Sequence, residues 1–171
     1  MADKGIGSLS ASILFDEIKT RFTGSLDYEP FDATQKWVYK KNTVGTSPVA
    51  FLVTSDEFLG NESTGDTLAA GDKILWIAIK HTGYRTKLKE KTNEGVMLNF
   101  AGANPEFDGT ISNDKNNMFI VPGELLVLKL NGVLQPNLIF GTCALTNGVP
   151  SALGTSTVYI QVAAIVEDIS A

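Results

Sequence analysis

Short apolar segments separated by turn-forming residues dominate the sequence from residue 35 onward and constrain the fold more than any other feature. The segments are rich in Val, Ile, Leu, Phe, Tyr and Trp, which suit a pleated surface, and Gly, Pro, Asn and Asp lie between them. The eight segments are Gln35–Lys40, Val49–Thr54, Lys73–His81, Val96–Phe100, Asn117–Val121, Glu124–Leu130, Asn137–Leu145 and Thr155–Val166. They predict an all-β chain that forms a single antiparallel β-sandwich of jelly-roll or immunoglobulin-like type, with an N-terminal extension.

The turn signals between these segments include Asn-Gly and Asp-Gly pairs, which supply the positive φ angles of tight hairpins. Asn131-Gly132 directly follows a strong strand, so we predict a hairpin turn there. After residue 24, no stretch of 12 or more residues has the pattern of an amphipathic helix. With 171 residues, the chain has room for one ordinary domain, which we place at residues 25–171.

Charge and cysteine content exclude several kinds of site. The formal net charge is -5, which argues against nucleic acid as the main partner. One Cys and one His exclude a disulfide framework within the chain and a multi-Cys or multi-His zinc site. The lone Cys143 also indicates synthesis in a reducing compartment.

Targeting and membrane signals are absent from the sequence. Residues 1–15 have no apolar stretch long enough for a signal peptide. Residues 130–166 carry no charge, but Gly and Pro interrupt every 18-residue apolar window in that run. We therefore expect a soluble protein.

Residues 1–24 differ from the rest and form a separate N-terminal arm in our interpretation. Small polar residues come first, and Ile13, Leu14, Ile18 and Phe22 then recur at near-helical spacing. The pattern predicts a flexible arm followed by a short helix or an extended strap; a disordered terminus is the alternative. We expect the four apolar residues to bind a partner.

Two strands are apolar on both faces. Alternate positions of Lys73–His81 and of Thr155–Val166 are largely apolar whichever face is counted. A sandwich strand normally buries one face and exposes the other to water. The second face needs a cover from a loop, from the arm or from another chain, so we expect a homo-oligomer. A central strand capped by the chain's own loops is the alternative.

Residues with reactive side chains give weak signals for an enzyme. His81 ends a strand before Thr82-Gly83, and a turn histidine without a catalytic role explains it best. Cys143 lies among apolar and small residues, which favours a buried, inert thiol.

The acidic loops lack the regular spacing of a calcium loop. We expect no catalytic residue, metal or cofactor. The acidic residues in question are Asp56, Glu57, Glu62, Asp66, Asp108 and Asp114.

One basic cluster lies between residues 80 and 91. A solvated hairpin is the simpler interpretation. The functional interpretation is a docking patch for an acidic surface of a partner. The alternation from Arg85 to Lys91 would put the cations on one side of an extended segment. The candidate partner-binding residues are Lys80, Arg85, Lys87, Lys89 and Lys91.

Three segments resemble small virion structural proteins of marine tailed bacteriophages. They are GDKILWIAIKHTGYR (71–85), VPGELLVLKL (121–130) and GTSTVYIQVAAIVEDI (154–169), in the order found in that family. The resemblance covers about residues 71–169 and leaves out the first 70. It implies a virion component of β-sandwich type that decorates or cements the capsid, and it transfers no catalytic residue.

The expected function is therefore non-enzymatic. The chain would bind the outer capsid surface, contact the major capsid protein of the same virion and associate with itself, with a trimer as the first expectation from capsid three-fold geometry. A phage tail, neck or fibre protein is the alternative within the same class. A carbohydrate-binding module that stacks Trp37, Trp76 or tyrosines on sugar rings is the alternative from another class.

Overall fold

The fold, in a computed structural model, consists of antiparallel β-sheets. The structure describes residues 5–15, 18–28, 30, 33–59, 65–85, 90–100, 117–132, 135–136, 138–146, 150–153 and 157–169. No helix occurs among those residues, which confirms the all-β prediction for them. The strands are β1 (Gly5–Phe15), β2 (Ile18–Tyr28), β3 (Gln35–Val44), β4 (Val49–Ala50), β5 (Lys73–His81), β6 (Tyr84–Arg85), β7 (Glu90–Lys91), β8 (Gly95–Asn99), β9 (Asn117–Ile120), β10 (Leu125–Lys129), β11 (Phe140–Thr146), β12 (Pro150–Leu153) and β13 (Val158–Glu167).

Two larger sheets and two hairpins contain all of these strands. The four-stranded sheet has the order β10-β5-β13-β3. The five-stranded sheet has the order β12-β11-β8-β9, and β4 also pairs with β11. The strands β1 and β2 pair only with each other within the described chain, as do β6 and β7.

A single hydrophobic core takes side chains from both larger sheets. On the four-stranded sheet, the strictly alternating inward positions of β13 are fully buried because they face the other sheet. Phe51 can reach the core only because Gly141 faces it: a Cβ at that position would collide with the Phe51 ring. The core includes Val38, Phe51, Phe58, Ile74, Ile77, Ile79, Val96, Leu98, Ile139, Cys143, Ile160 and Val162.

Most predicted strands are present. Lys73–His81 has the predicted bounds, and Gln35–Lys40 extends to Val44. Only Val49–Ala50 of the second predicted segment is a strand, since residues 51–55 turn away to bring Phe51 into the core. Asn131-Gly132 is not a hairpin turn, because β10 and β11 on either side of it belong to different sheets. Gly132 does have the expected positive φ, 68°.

The helix expected in the N-terminal arm is wrong. Residues 5–28 instead form an antiparallel hairpin, here called the arm hairpin, in which Gly5 lies opposite Tyr28 and Phe15 lies opposite Ile18. This agrees with the extended alternative. The boundary that the sequence suggested after residue 24 falls inside β2, which continues to Tyr28.

Candidate docking surface

The three segments that carry the phage resemblance become three adjacent strands. Residues 71–85 supply β5, residues 121–130 supply β10 and residues 154–169 supply β13, and β5 lies between the other two. The residues that flank these three strands in the motif segments contact one another at the two ends of this sheet. We call these the histidine end, around His81, and the carboxylate end, around Asp168.

At the histidine end, the turn after β5 bonds to the turn before β10. The His81 N–H donates to the Glu124 carbonyl at 2.9 Å, and the Gly123 N–H donates to the His81 carbonyl at 3.1 Å. Gly123 has φ of 88°, which a glycine adopts without strain. The Thr82 hydroxyl adds a 2.6 Å bond to the Tyr159 carbonyl on β13. The motif residues at this end therefore hold three strands in register.

The His81 ring is part of this fastening and is fully buried, so it is not an exposed turn histidine. Its Nδ1 accepts from the Gly83 N–H at 3.0 Å, so Nε2 carries the proton and donates to the Glu94 carbonyl at 2.9 Å. Burial lowers the pKa of His81, against the opposing effect of the Glu94 bond. Both ring nitrogens are engaged by backbone, which leaves none to activate a nucleophile.

Cys143 lies in the same buried region, and its burial agrees with the prediction. Its Sγ donates to a Glu94 carboxylate oxygen at 2.8 Å. Burial raises the pKa of the thiol, and the neighbouring carboxylate raises it further. A group so poorly ionised is a poor nucleophile. No sequence pattern pointed to Glu94, which lies 49 positions away from Cys143.

At the carboxylate end, buried acids tie the start of β5 to the end of β13. Asp72 accepts from the Ala69 N–H at 2.7 Å and from the Ile169 N–H at 3.2 Å. Asp168 binds the Lys36 ammonium at 2.6 Å, and Asp66 binds the same ammonium from the other side. These two partners raise the pKa of Lys36.

Two of the acidic loop residues that the structure describes are paired with lysines. Asp66 pairs with Lys36, and Asp56 pairs with Lys40 at 2.7 Å. That second pair lies in a shallow groove between β3 and residues 55–59. Among the described residues, no group of three or more His, Cys, Asp or Glu is placed to share a metal ion. Glu62, Asp108 and Asp114 lie outside the described residues.

The side of the four-stranded sheet that faces away from the core carries the exposed apolar residues Tyr39 and Leu125, and we call it the outer face. Strand register arranges its residues in rows across β3, β13, β5 and β10. The alternation in β5 is interrupted by a bulge, since Ile165 pairs with Trp76 but Val166 pairs with Ile74. From one end, the rows are Trp37, Ile165, Trp76 and Lys129; then Tyr39, Ala163, Ala78 and Val127; then Lys41, Gln161, Lys80 and Leu125.

The centre of the first row is closed to solvent. Trp37 and Trp76 flank Ile165 and meet edge to face, with ring centroids 5.6 Å apart. Trp76 is 4% exposed and Ile165 is fully buried. These indoles complete the packing of the sheet and do not offer an open face for stacking.

The next two rows are open. Tyr39 is 42% exposed and Leu125 is 53% exposed, and the intervening alanines and Val127 are half-buried. Lys80 is exposed beside Leu125, and the Lys41 ammonium lies 5.9 Å from the centre of the Tyr39 ring. The two-faced pattern in the sequence predicted this surface, but the pattern could not show that Tyr39 and Leu125 flank it.

The basic cluster is a short exposed hairpin, which is the simpler of the two interpretations. Tyr84 lies opposite Lys91, and Arg85 lies opposite Glu90. Because opposed residues share a face, Arg85 and Lys91 lie on different faces, and the one-sided row of cations is wrong. Lys80, Arg85 and Lys91 are all exposed, whereas Lys87 and Lys89 lie outside the described residues.

The remaining candidate residues lie in the arm hairpin. Its register places Ile13, Ile18 and Phe22 at positions on one face and Leu14 on the other. The four residues therefore do not share one face, as they would on a helix: three lie on one face of the hairpin and Leu14 lies on the other. Strict alternation along Leu9, Ala11, Ile13 and Phe15 is the sequence signal that would have found it, since period two is typical of a strand.

No family model, curated protein or solved structure matches this chain. Across the described ranges, no helix is long and apolar enough to cross a membrane.

Proposed function

We propose that the chain is a non-enzymatic structural protein of a tailed-bacteriophage virion that binds the outer surface of the assembled capsid and reinforces it. The observation that carries this proposal is the outer face, where an apolar sheet surface ending in exposed lysines is left open beside a complete core. A patch of this kind is typical of protein interaction sites. The resemblance to virion proteins assigns the partner, the major capsid protein.

The strand pairing supports a jelly-roll fold as the finer description. In chain order, β3, β4, β5, β8, β9, β10, β11 and β13 pair as a nested set: the first with the last, the second with the seventh, the third with the sixth and the fourth with the fifth. A long hairpin of four such pairs, rolled up, gives the two-sheet jelly roll found in many viral capsid domains. This link to viruses is a fold-level analogy.

The exposed cations suggest how the capsid is bound. Lys80, Arg85 and Lys91 project at the histidine end of a chain whose net charge is -5, so an acidic patch on the capsid would be attracted to this end and repelled elsewhere. Binding of this kind weakens with added salt.

Co-sedimentation with intact capsids tests the proposal directly. We expect the protein to pellet with its own capsids and not with unrelated ones, and Arg85→Glu to reduce the pelleted fraction at least several-fold. The control is Met118→Glu, which introduces an acidic side chain at an exposed position on β9 of the five-stranded sheet, away from the outer face. A protein that stays in the supernatant at low salt would rule out capsid binding.

The alternative, that the chain is a tail, neck or fibre protein, is tested by co-sedimentation with isolated tails in place of capsids. The tryptophans do not favour the carbohydrate module, because Trp76 is buried and Trp37 packs edge-on against it. Self-association, with a trimer as the first expectation, remains part of the proposal.

A further inference from the structure

The strand β3 forms an edge of the four-stranded sheet, and the free side of this edge is closed at both ends. At one end, the Leu59 N–H donates to the Trp37 carbonyl at 2.8 Å. At the other end, the Cys143 N–H donates to the carbonyl of Gly45, which directly follows the strand, also at 2.8 Å. Residues 39–43 lie between these two closures, and we call them the edge window.

Backbone groups point outward at every second residue of the edge window. Along a strand, the N–H and C=O of one residue face one neighbouring strand, and those of the next residue face the other. Trp37 bonds on the free side, so the alternate residues that follow it face that side too. They are Tyr39, Lys41 and Thr43. The pairing with β13 agrees, since Tyr159, opposite Thr43, turns its carbonyl away from β3 and towards the end of β5.

These outward groups are open to another chain. No strand lies beyond β3 in the sheet order of the described chain. Tyr39, Lys41 and Thr43 are all exposed, and their outward N–H and C=O groups have no partner among the described residues. The opposite edge differs, since β2 passes beside β10 with Cα atoms within 8 Å of it. An unpaired strand edge is a template for a further strand, so the edge window has the geometry to accept an extended segment.

A second copy of the chain is a poor occupant of the edge window. If two copies of β3 paired antiparallel over all three outward residues, the two Lys41 side chains would lie directly opposite each other. Like charges in that position are destabilising, and a lysine on an edge strand is a common guard against such self-pairing. An acidic side chain opposite Lys41 would instead be attracted. The edge window therefore selects against its own copy and in favour of a strand that carries a carboxylate.

We propose that an extended segment of the major capsid protein adds to the edge window as a fifth strand of the sheet, with an acidic residue opposite Lys41. The inference rests on the proposed function and specifies one contact through which the capsid is bound. In strand addition, backbone hydrogen bonds supply affinity and alternate side chains supply specificity. The edge window offers such bonds at each of its outward residues, over a length of about 17 Å.

The side chains of the edge window define what the added segment should carry. Tyr39, Lys41 and Thr43 lie on the outer face, so residues opposite them would extend that face. A β-branched or aromatic residue opposite Tyr39 or Thr43 would form a favourable cross-strand pair. The neighbouring Lys40 ammonium is already bound by Asp56 at 2.7 Å, so Lys41 is the charge that meets the added segment.

Proline in the edge window tests the inference. Lys41→Pro removes an N–H that faces the free side, and such positions on edge strands tolerate proline. Lys41→Thr is the matched control, because it loses the same charge and keeps the N–H. We expect the dissociation constant for the protein's own capsids, measured by co-sedimentation, to be at least tenfold higher for Lys41→Pro than for Lys41→Thr. Thr43→Pro and its control Thr43→Val repeat the comparison if circular dichroism shows that Lys41→Pro is unfolded.

Hydrogen exchange follows the same groups without a substitution. In the free protein, the amides of Tyr39, Lys41 and Thr43 should exchange at least tenfold faster than those of Lys40 and Asn42, which face β13. On capsids, the three outward amides should exchange at least tenfold more slowly than in the free protein. A capsid contact made by side chains alone would leave them without hydrogen-bond partners.

Four results would overturn the inference. Outward amides that exchange as slowly as the Lys40 amide in the free protein would show that the edge is closed. Unfolding of both proline variants would show the same, because the replaced N–H groups would then belong to the native ladder. Equal capsid binding by Lys41→Pro and Lys41→Thr would exclude strand addition and leave the proposed function intact. A wild type that does not pellet with capsids would contradict both.

Discussion

The two ends of the four-stranded sheet are fastened by opposite kinds of chemistry. At the histidine end, the bonds join neutral groups: backbone amides, a hydroxyl and the uncharged His81 ring. At the carboxylate end, the bonds run through the carboxyl groups of Asp72 and Asp168 and the ammonium of Lys36. Both arrangements hold strand ends, where the regular ladder of a sheet runs out of partners.

The bonds at the two ends of the sheet show what role the residues of the three motif segments have in the structure. His81, Gly123 and Asp168 lie in the three segments on which the proposed likeness to virion proteins rests, and each one holds strands to one another. The motifs are therefore a signature of the fold. The same three segments also form most of the open outer face between the two ends, which is the surface that we propose for a partner.

The largest effect is expected at the carboxylate end. Asp168→Ala removes a buried acid from the Lys36 ammonium, and we expect the free energy of unfolding to fall by about 3 kcal/mol, since one partner of a buried ion pair is lost. Urea denaturation measures the change.

Asp66→Ala is the control for that variant. It removes the partner on the other side of the ammonium, but its side chain is 30% exposed, so the loss should stay near or below about 1 kcal/mol. Equal losses from the two variants would mean that burial does not distinguish the two acids.

The next largest effect is expected at the histidine end. His81→Ala deprives the Gly83 N–H and the Glu94 carbonyl of their partner and leaves a cavity, so we expect a loss of about 2 kcal/mol. The control is Tyr84→Ala, an exposed neighbour whose removal should change stability by less than about 0.5 kcal/mol. If the two variants unfold at the same urea concentration, the ring does not fasten this end.

Acid should weaken the histidine end. Below pH 6.5, the unfolded chain protonates His81, whereas burial lowers the pKa of the folded state, so the unfolded state binds more protons. The stabilisation is complete above pH 6.5 and is lost as the pH falls towards the lowered value. Denaturation at a series of pH values should show this decline in the wild type, and His81→Ala should lack it.

Alkali should weaken the carboxylate end by a smaller amount, because Lys36 is partly exposed. The pKa of Lys36 is raised above 10.5 in the folded state, so the stabilisation is complete below pH 10.5 and is lost as the pH rises through the raised value. The slope of stability against pH above 10 should be shallower in Lys36→Met. An unchanged slope would show that the Lys36 ammonium does not stabilise the carboxylate end.

Local sequence patterns predicted the strands well and the long-range contacts poorly. Lys73–His81 was found with its observed bounds because alternation, β-branched residues and a Gly turn agree there. The arm hairpin was misjudged because Ile13, Ile18 and Phe22 fit helical spacing as well as a strand. The outer face was anticipated, but its rows depend on register across four strands.

The polar fastenings lay beyond prediction for a physical reason. Asp72 bonds to Ile169, 97 positions away, and Cys143 bonds to Glu94. The type of a residue does not identify a hydrogen-bond partner so distant in the sequence, because the bond forms only after the sheets have assembled. The sequence could identify Cys143 as buried and inert, and it could not identify the carboxylate that makes it so.

The smallest effect is expected for Cys143, and its thiol can report whether the two ends open separately. Cys143→Ala should change stability by about 1 kcal/mol. Burial and Glu94 raise the pKa of the thiol, so iodoacetamide at pH 8 should label it only when the histidine end opens. We expect His81→Ala to speed labelling more than Asp168→Ala does, although the second variant is the less stable. If labelling instead follows overall stability across both variants, the sheet opens as one unit, and its ends differ in chemistry alone.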